Sequence, residues 1–534
     1  MAIRPSDIAT SVRDEPAGRF ARHVISVWLS FLVFSFWQAP IPAVNEPHWL
    51  AKAKHYWQPD WCAQDVFLAS SNTHRVYYQT IGALTTVVSF EETAVIGRLL
   101  GYLVLALGWT SLCRCAAGKI ESAFPAAWLF LLLASIGNLS GEWLVSGIEG
   151  KVFSYGFAFL GMASLFDARW IRAGLFTGLG IAFHPLVGIW FVIASGMAAT
   201  FSLLAPAKKR ACLSKIVEVA RAPQFVAGTA ILIVISLAGV LPALQAIGGA
   251  TPEDARVANY LQVFHRLDHH LDPMDFAGWR YGMYLSLAIV AWLLLRLGEK
   301  RSQMTWLGRV VLASVIIAAV GWVIGYRDSS IPDVELWEKM PLYDLRSNLL
   351  KFYPFRLVDI VLPVLVAILL ARHLTSRLNH FYPGAIRVGL VATIAVSLWL
   401  ANGRGSVNRL SPQQQADWLQ ACQWIRDNTD EDALVHTPRQ SWAFKWFAQR
   451  AEFVSLKDCP QDAAGIIEWN NRLNGIADWA KEHHADGIYT RAETTELNEE
   501  KGITHLLVRR LGPFEAKPDF RNSTYRIYRI QPHE

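Results

Sequence analysis

Four groups of ionisable residues lie outside the long apolar runs of this 534-residue chain. Asn45-Glu46-Pro47-His48 follows the first run directly, and Asp60 and Asp65 come soon after. At the edge of hydrocarbon a carboxylate is partly desolvated, which raises its proton affinity toward that of a useful general base; a solvated loop acid is the plainer reading. Glu142, Glu149 and Lys151 fill the short link between the third and fourth runs, so both carboxylates stay at one membrane face, as site residues or as a polar turn. Arg346, Lys351 and Arg356 in LRSNLLKFYPFR precede the tenth run. Three cations there suit a lipid phosphate, Arg as a bidentate fork and Lys as a point charge; snorkelling anchors are the alternative. His265 and His269 are four residues apart, which on a helix puts two metal ligands on one face and leaves a third unassigned. His184-Pro185, at the end of the fifth run, either points into the same region or ends its helix.

The elements that position these residues follow from composition. Apolar residues make up 53% and charged residues 18%, against about 25% charged in soluble domains. That excludes a collagenous, disordered or disulfide-dense chain and an ordinary soluble enzyme. Runs able to cross ~30 Å of hydrocarbon fall at about 24–44, 92–113, 123–140, 152–166, 170–184, 186–204, 224–247, 279–297, 305–326, 355–374 and 382–401. The chain is thus read as an α-helical polytopic membrane protein with about 11 transmembrane helices. The stretch 76–90 is shorter and carries Gln79 and several threonines, which predicts a helix lying on the membrane surface. Arg13, Arg19 and Arg22 precede the first run, which is long and lacks a small-residue cleavage site, so it is read as an uncleaved anchor. Gly97/Gly101 and Gly174/Gly178 are small-residue pairs suited to close helix packing.

Charge divides the chain in two. Residues 402–534 hold 36 charged residues in 133, whereas 1–401 hold 58 in 401. This marks a transmembrane domain over 1–401 and a domain of ordinary polarity over 402–534. With the N-terminus inside, the inner segments carry 18 Lys and Arg against 10 in the outer loops, and Lys208-Lys209-Arg210 is the clearest inner marker. The positive-inside rule then places the protein in the plasma or inner membrane as a multi-pass chain, N-terminus cytoplasmic and C-terminal domain extracytoplasmic. The net charge of +6 is explained by these basic loops and calls for no nucleic acid. The C-terminal segment alternates helical stretches (412–428, 440–448, 462–483, 492–501) with strand-like ones (433–436, 453–456, 505–508, 525–530), which predicts a small α/β domain. Cys422 shares an apolar stripe with Trp418 and Ile425, so a buried free thiol is favoured over a bridge to Cys459.

An acid just after the first span, a first loop with a surface helix, a second acidic loop after the third span and an extracytoplasmic C-terminal domain together resemble the GT-C glycosyltransferases. These are integral membrane enzymes that use sugars carried on polyprenyl phosphates. The segments EGKVFSYGFAFLGMASL through GIAFHPLVGIW are also similar to bacterial membrane proteins of GT-C type. The family pattern often has two adjacent acids, where this chain has Asn45-Glu46. The resemblance implies a polyprenyl-phosphate-linked sugar and membrane lipid as partners. It implies catalytic carboxylates among Glu46, Asp60, Glu142 and Glu149, with Glu46 as the base. Substrate contacts come from His48, His184, Arg346, Lys351 and Arg356, whose cations stabilise the departing phosphate. No cofactor is required by the sequence, although His265 and His269 would admit a divalent metal. Two other classes stay open: a non-catalytic membrane assembly protein whose C-terminal domain binds a partner, and a transporter. The spans are nearly free of charge apart from Arg98 and their ends, and no inverted repeat is visible, which speaks against a conduction path.

The topology is checked with a reporter active only outside the cytoplasm. Fused after Asn402 it is expected to be active, and fused within 205–223 inactive; the reverse at either site overturns the eleven-span reading.

Overall fold

The computed structural model describes residues 17–204, 218–297, 302–484 and 487–530. Arg13, Lys208-Lys209-Arg210 and Cys212 fall outside them. The chain is a mostly helical integral membrane protein, with helices at all eleven predicted runs. Eight are long and apolar enough to cross a membrane: Ala17–Gln38, Phe90–Ala117, Pro185–Ser202, Pro223–Ile247, Gly278–Leu297, Ser302–Gly325, Arg356–Ser376 and Pro383–Ala401. Helix is the form hydrocarbon permits, because every backbone N–H and C=O is then paired within the segment. At the other three positions stand Ala123–Ile136, Gly150–Phe166 and Trp170–Phe183, of 14, 17 and 14 residues. At about 1.5 Å per residue these reach only about 21–26 Å. The predicted surface helix over 76–90 is two short pieces instead, Arg75–Gln79 and Ile81–Thr86. Thr80 breaks it, with ψ near −91° and its hydroxyl turned back to the Val76 carbonyl at 2.7 Å.

The described structure divides into two compact units. One comprises Met1–Pro40, Ile96–Leu241 and Gln262–Gly405; the other comprises Ile41–Val95, Pro242–Leu261 and Ser406–Glu534. In the first, 83% of the apolar window of the Arg356 helix is buried, against 11% for Gly278–Leu297 and Pro383–Ala401. The Arg356 helix is therefore the core of its unit. It packs on Ala123–Ile136, Gly278–Leu297 and Ser302–Gly325. Trp170–Phe183 crosses Pro223–Ile247 so closely that a Cβ on Gly174 would meet the Gly228 carbonyl oxygen at 1.9 Å. The small-residue spacing read from the sequence thus serves backbone contact.

The second unit is wider than the segment the charge pattern marks, since it takes in the first loop. Its sheet has strands β1 (Leu434–His436), β2 (Ala451–Glu452), β3 (His505–Val508), β4 (Phe520–Arg521) and β5 (Arg526–Arg529), in the order β2-β1-β3-β5-β4. β1 pairs in parallel with β2 and β3, while β5 runs antiparallel between β3 and β4. Ser411 and Gln414 form a capping box that starts the Pro412–Asn428 helix. Its stripe of Trp418, Ala421, Cys422 and Ile425 is fully buried with Val435, Leu507 and Ile527. Cys422 and Cys459 are both buried, and burial pushes the Cys422 thiol far up. The strand expected at 453–456 ends early. Phe453 N–H still donates to the Val435 carbonyl at 2.9 Å, but its own carbonyl is taken by Arg472, which stops the ladder.

Beside the sheet, the buried Lys445 ammonium lies 3.1 Å from Asp65, 2.9 Å from Glu452 and 2.7 Å from Asp458. Burial alone would raise the Asp458 carboxyl, yet Lys445 and His48 hold it well below the usual carboxylate range. Burial likewise opposes charge on Lys445, and its three carboxylates hold it well above the ordinary lysine value. Lys445→Met leaves three buried acids without their cation, and is expected to cost about 3–5 kcal/mol. A depressed carboxyl contributes stability above its unfolded value of about 4 and loses it as pH falls. Acid therefore destabilises this unit in the wild type. In the variant Asp458 has lost Lys445, the larger of the two influences that depress it, so acid is expected to destabilise the unit less. Trp446 fluorescence during denaturation, read at two pH values, measures both trends; parallel trends would sink the assignment.

Candidate functional site

The charged cluster of the first unit is assembled from four segments. Arg356 opens its helix just after Tyr353, whose φ of +56° turns the chain so that the ring lies 4.0 Å from the guanidinium. Glu142 sits in the link after Ala123–Ile136; Glu149 caps the start of Gly150–Phe166, and Lys151 is in its first turn. Arg356 Nε is 3.1 Å from Glu142 Oε2, and Lys151 Nζ is 3.8 Å from that same oxygen and 3.2 Å from Glu149 Oε2. Arg356 Nη1 donates to His184 Nε2 at 3.3 Å, His184 being the residue that ends Trp170–Phe183. Two cations, Lys151 buried and Arg356 partly so, thus converge on one carboxylate oxygen. Burial raises the Glu142 carboxyl above its ordinary value, and Arg356 and Lys151 offset only part of that.

What holds Glu142 there is Asp359, one turn along from Arg356. Its carboxylate accepts from Leu139 N (2.6 Å), Ser140 N (2.9 Å), Ser140 Oγ (2.8 Å) and Glu142 N (3.1 Å). A buried carboxylate inside an apolar helix is costly unless it is hydrogen-bonded, and this one takes its donors from the loop it fixes. The sequence reading passed over Asp359. The signal was an acid three residues after Arg356 within an otherwise apolar run. His270 Nδ1 bonds the Ser140 carbonyl; burial and then its cationic neighbours push it down to about 3, so it is a neutral strut.

Below Glu142 lies a cavity of about 20 Å³ with Gln38, Asn138, Asp359 and Arg404 in its wall, space for about one water. Gln38 Oε1 and Glu142 Oε1 are buried here without a hydrogen-bond partner among the described residues.

Other expected site residues lie elsewhere. Arg346 caps the end of Ser302–Gly325, with Nε on the Ile324 carbonyl at 2.6 Å and Nη2 on that of Tyr326. Lys351 is half-buried at the end of Tyr343–Leu350, where burial lowers its proton affinity. Of the three cations grouped in the sequence, Arg356 is thus the one that meets Glu142, and Lys151, in the first turn of Gly150–Phe166, meets the same carboxylate. His265 and His269 make no pair on one face, because a π-turn over Leu261–Arg266 ends and a new helix, Asp268–Leu271, begins. Both are exposed, and among the described residues no three His, Cys, Asp or Glu side chains gather as metal ligands.

In the second unit Glu46 opens the Glu46–Trp57 helix fully buried, with Oε2 accepting from Ala43 N at 2.7 Å. His48 stacks on Phe67 at 4.2 Å and meets Asp458 at 2.9 Å. Asp60 is exposed in the turn beyond that helix. Lys52, pushed down to about 7 by burial against the pull of Asp65 and Asp462, donates to the carbonyls of Phe67, Leu68 and Ser70. It serves as a cap.

Residues 416–476 match a family model described as a domain of unknown function, DUF6798. The structure is similar to ArnT from Cupriavidus metallidurans bound to undecaprenyl phosphate, with 12% identity and a TM-score of 0.42 over 96% of this chain and 98% of that one. The apo state of that protein gives 12% identity and 0.39 over 96% and 97%. No curated protein matches the sequence.

Asp359→Ala strands the four donors of the 139–142 loop and is expected to cost about 3 kcal/mol or more. Asp359→Asn keeps one acceptor oxygen and costs less. The melting midpoint of the detergent-solubilised protein ranks the two; an unchanged midpoint in the alanine variant would remove the clamp.

Proposed function

We propose that the chain is an integral membrane glycosyltransferase of GT-C type that takes a sugar from a polyprenyl-phosphate donor. The donor's phosphate is held by Arg356 and Lys151. One observation carries this reading: two cations from separate elements, Lys151 buried and Arg356 with 15% of its side chain exposed, meet at a single carboxylate oxygen where the most buried helix begins. In a low-dielectric setting such a pair attracts a phosphate strongly, the guanidinium as a fork and the ammonium as a point charge.

The same pair serves the chemistry. When an acceptor oxygen attacks the anomeric carbon, the bond to the phosphate oxygen breaks and its electron pair stays on the phosphate. Charge grows there in the transition state, and fixed cations stabilise it without reorganising. The acceptor's proton goes to a base, and Glu46, the first acid after the first span, is proposed for it by family resemblance.

The test is transfer of radiolabel from a polyprenyl-phosphate sugar by purified protein in nanodiscs. Arg356→Ala is expected to weaken donor binding and to lower kcat by about 10²–10³-fold, the usual loss for one charge-stabilising donor. Glu46→Gln is expected to keep donor binding and lower kcat by about 10²–10⁴-fold. Full activity in the arginine variant would move the phosphate elsewhere, and full activity in Glu46→Gln would remove that base. A protein that transfers sugar from none of these donors would favour the assembly role.

A further inference from the structure

Glu142 occupies the position an incoming phosphate must take. Its Oε2 is the one atom approached by both Arg356 (3.1 Å) and Lys151 (3.8 Å), so an anion bound to those cations replaces that oxygen. Resting on the phosphate site proposed above, we infer that a lipid phosphodiester enters by displacing Glu142 from Arg356 and Lys151, and that Glu142 takes up one proton as it leaves them.

The surroundings determine what the displaced carboxylate does. From its own link and the following helix it is faced by Glu149, Lys151 and the Tyr155 phenol; from the Arg356 helix it is faced by Arg356 and Asp359. His184 is spent on Arg356, and His270 is a neutral strut on the loop backbone. Arg404, across the cavity, is tied to the Ser135 carbonyl, and Arg280 to that of Leu139 at 3.3 Å. Once the phosphate holds Arg356 and Lys151, the neighbours left to Glu142 are two carboxylates, the Tyr155 phenol and the new anion. A buried carboxylate among like charges binds a proton.

The cavity supplies the room and the partner. Glu142 is 8% exposed and Gln38 1%; both residues line the same small space, and the Oε1 atom of each is buried without a hydrogen-bond partner among the described residues. Two acceptors facing one cavity have nothing to exchange while Glu142 is ionised. Protonation changes this, because the carboxylic O–H donates to Gln38 Oε1 and satisfies both. The net charge of the site is thus the same at rest, with Glu142 ionised, and loaded, with the donor's charge in its place and Glu142 neutral.

The sign follows from linkage. A ligand whose binding takes up a proton binds more tightly as pH falls, by up to about tenfold per pH unit in the window between Glu142's proton affinities in the free and loaded sites. A phosphodiester probe avoids the titration of a phosphate monoester. Geranyl methyl phosphate, a soluble isoprenoid phosphodiester, is titrated calorimetrically into the full-length protein in detergent, in Pipes and in Tris, whose heats of ionisation differ. Wild type is expected to take up about 0.5–1 proton near pH 7, with Kd rising as pH is raised. Glu142→Gln is expected to bind more tightly at alkaline pH, take up none and lose the pH dependence. Should that variant fail to fold, the wild-type proton count and pH profile decide alone. Binding that depends on Arg356 but takes up no proton, or an equal uptake in Glu142→Gln, overturns this inference and leaves the phosphate site standing. An absence of binding, or binding unchanged in Arg356→Ala, overturns both.

Discussion

In the membrane unit every buried charge must have a partner, and the partner must come from the chain itself. That constraint accounts for the way Asp359 and Arg356 share one turn of the most buried helix. Asp359 is acceptable because four donors of the neighbouring link close on it, and closing them fixes where Glu142 lies. Arg356 is acceptable because Glu142 then reaches it. Neither charge is placed independently. The helix presents two opposite charges on one face, and the loop satisfies both, one with its backbone and one with its side chain. A site built this way is stiff, since moving any member exposes an unpaired group in a medium that cannot solvate it.

The helices were legible in the sequence because hydrocarbon imposes a length and an apolar composition that few other demands can mimic. All eleven runs are helices, and the alternation in the C-terminal segment anticipates its four helices and three of its five strands by type. What composition could not convey was which charges meet. Arg346, Lys351 and Arg356 are close in sequence, yet Arg346 turns back to cap a helix and Arg356 pairs with residues some two hundred positions earlier. Lys151 and Asp359 each looked incidental because their meaning depends on a loop conformation. His265 and His269 illustrate the converse. Their spacing is right for a helix, but His265 lies in a wider π-turn that ends at Arg266 and His269 in a new helix, and spacing arguments hold only for the helix they assume.

The two units treat buried ionic groups differently. In the membrane unit two cations, Arg356 and Lys151, share one oxygen of Glu142 beside the carboxylates of Glu149 and Asp359. In the other unit three carboxylates surround Lys445, each with a further bond: Asp65 to the backbone of Phe67 and Leu68, Glu452 to Thr437, and Asp458 to His48. Every oxygen is engaged in geometry, and the cluster behaves as a fastening. Buried clusters of this second kind favour one arrangement of the chain more than they add net stability.

That fastening also sets an order of events during biogenesis. Asp65 and Glu452, which meet at the same lysine, are separated by 387 residues. At about 5–20 residues per second, the first-loop acid waits about 20–80 s after its own synthesis before Glu452 is made. Through that interval the loop has neither Lys445 nor the sheet to bury against, and its carboxylate must remain hydrated. The second unit therefore closes only after the last span has been threaded. A chain arrested short of Lys445 carries a complete set of membrane helices and an unfinished second unit, the state most open to proteolysis and to whatever quality control surveys the membrane.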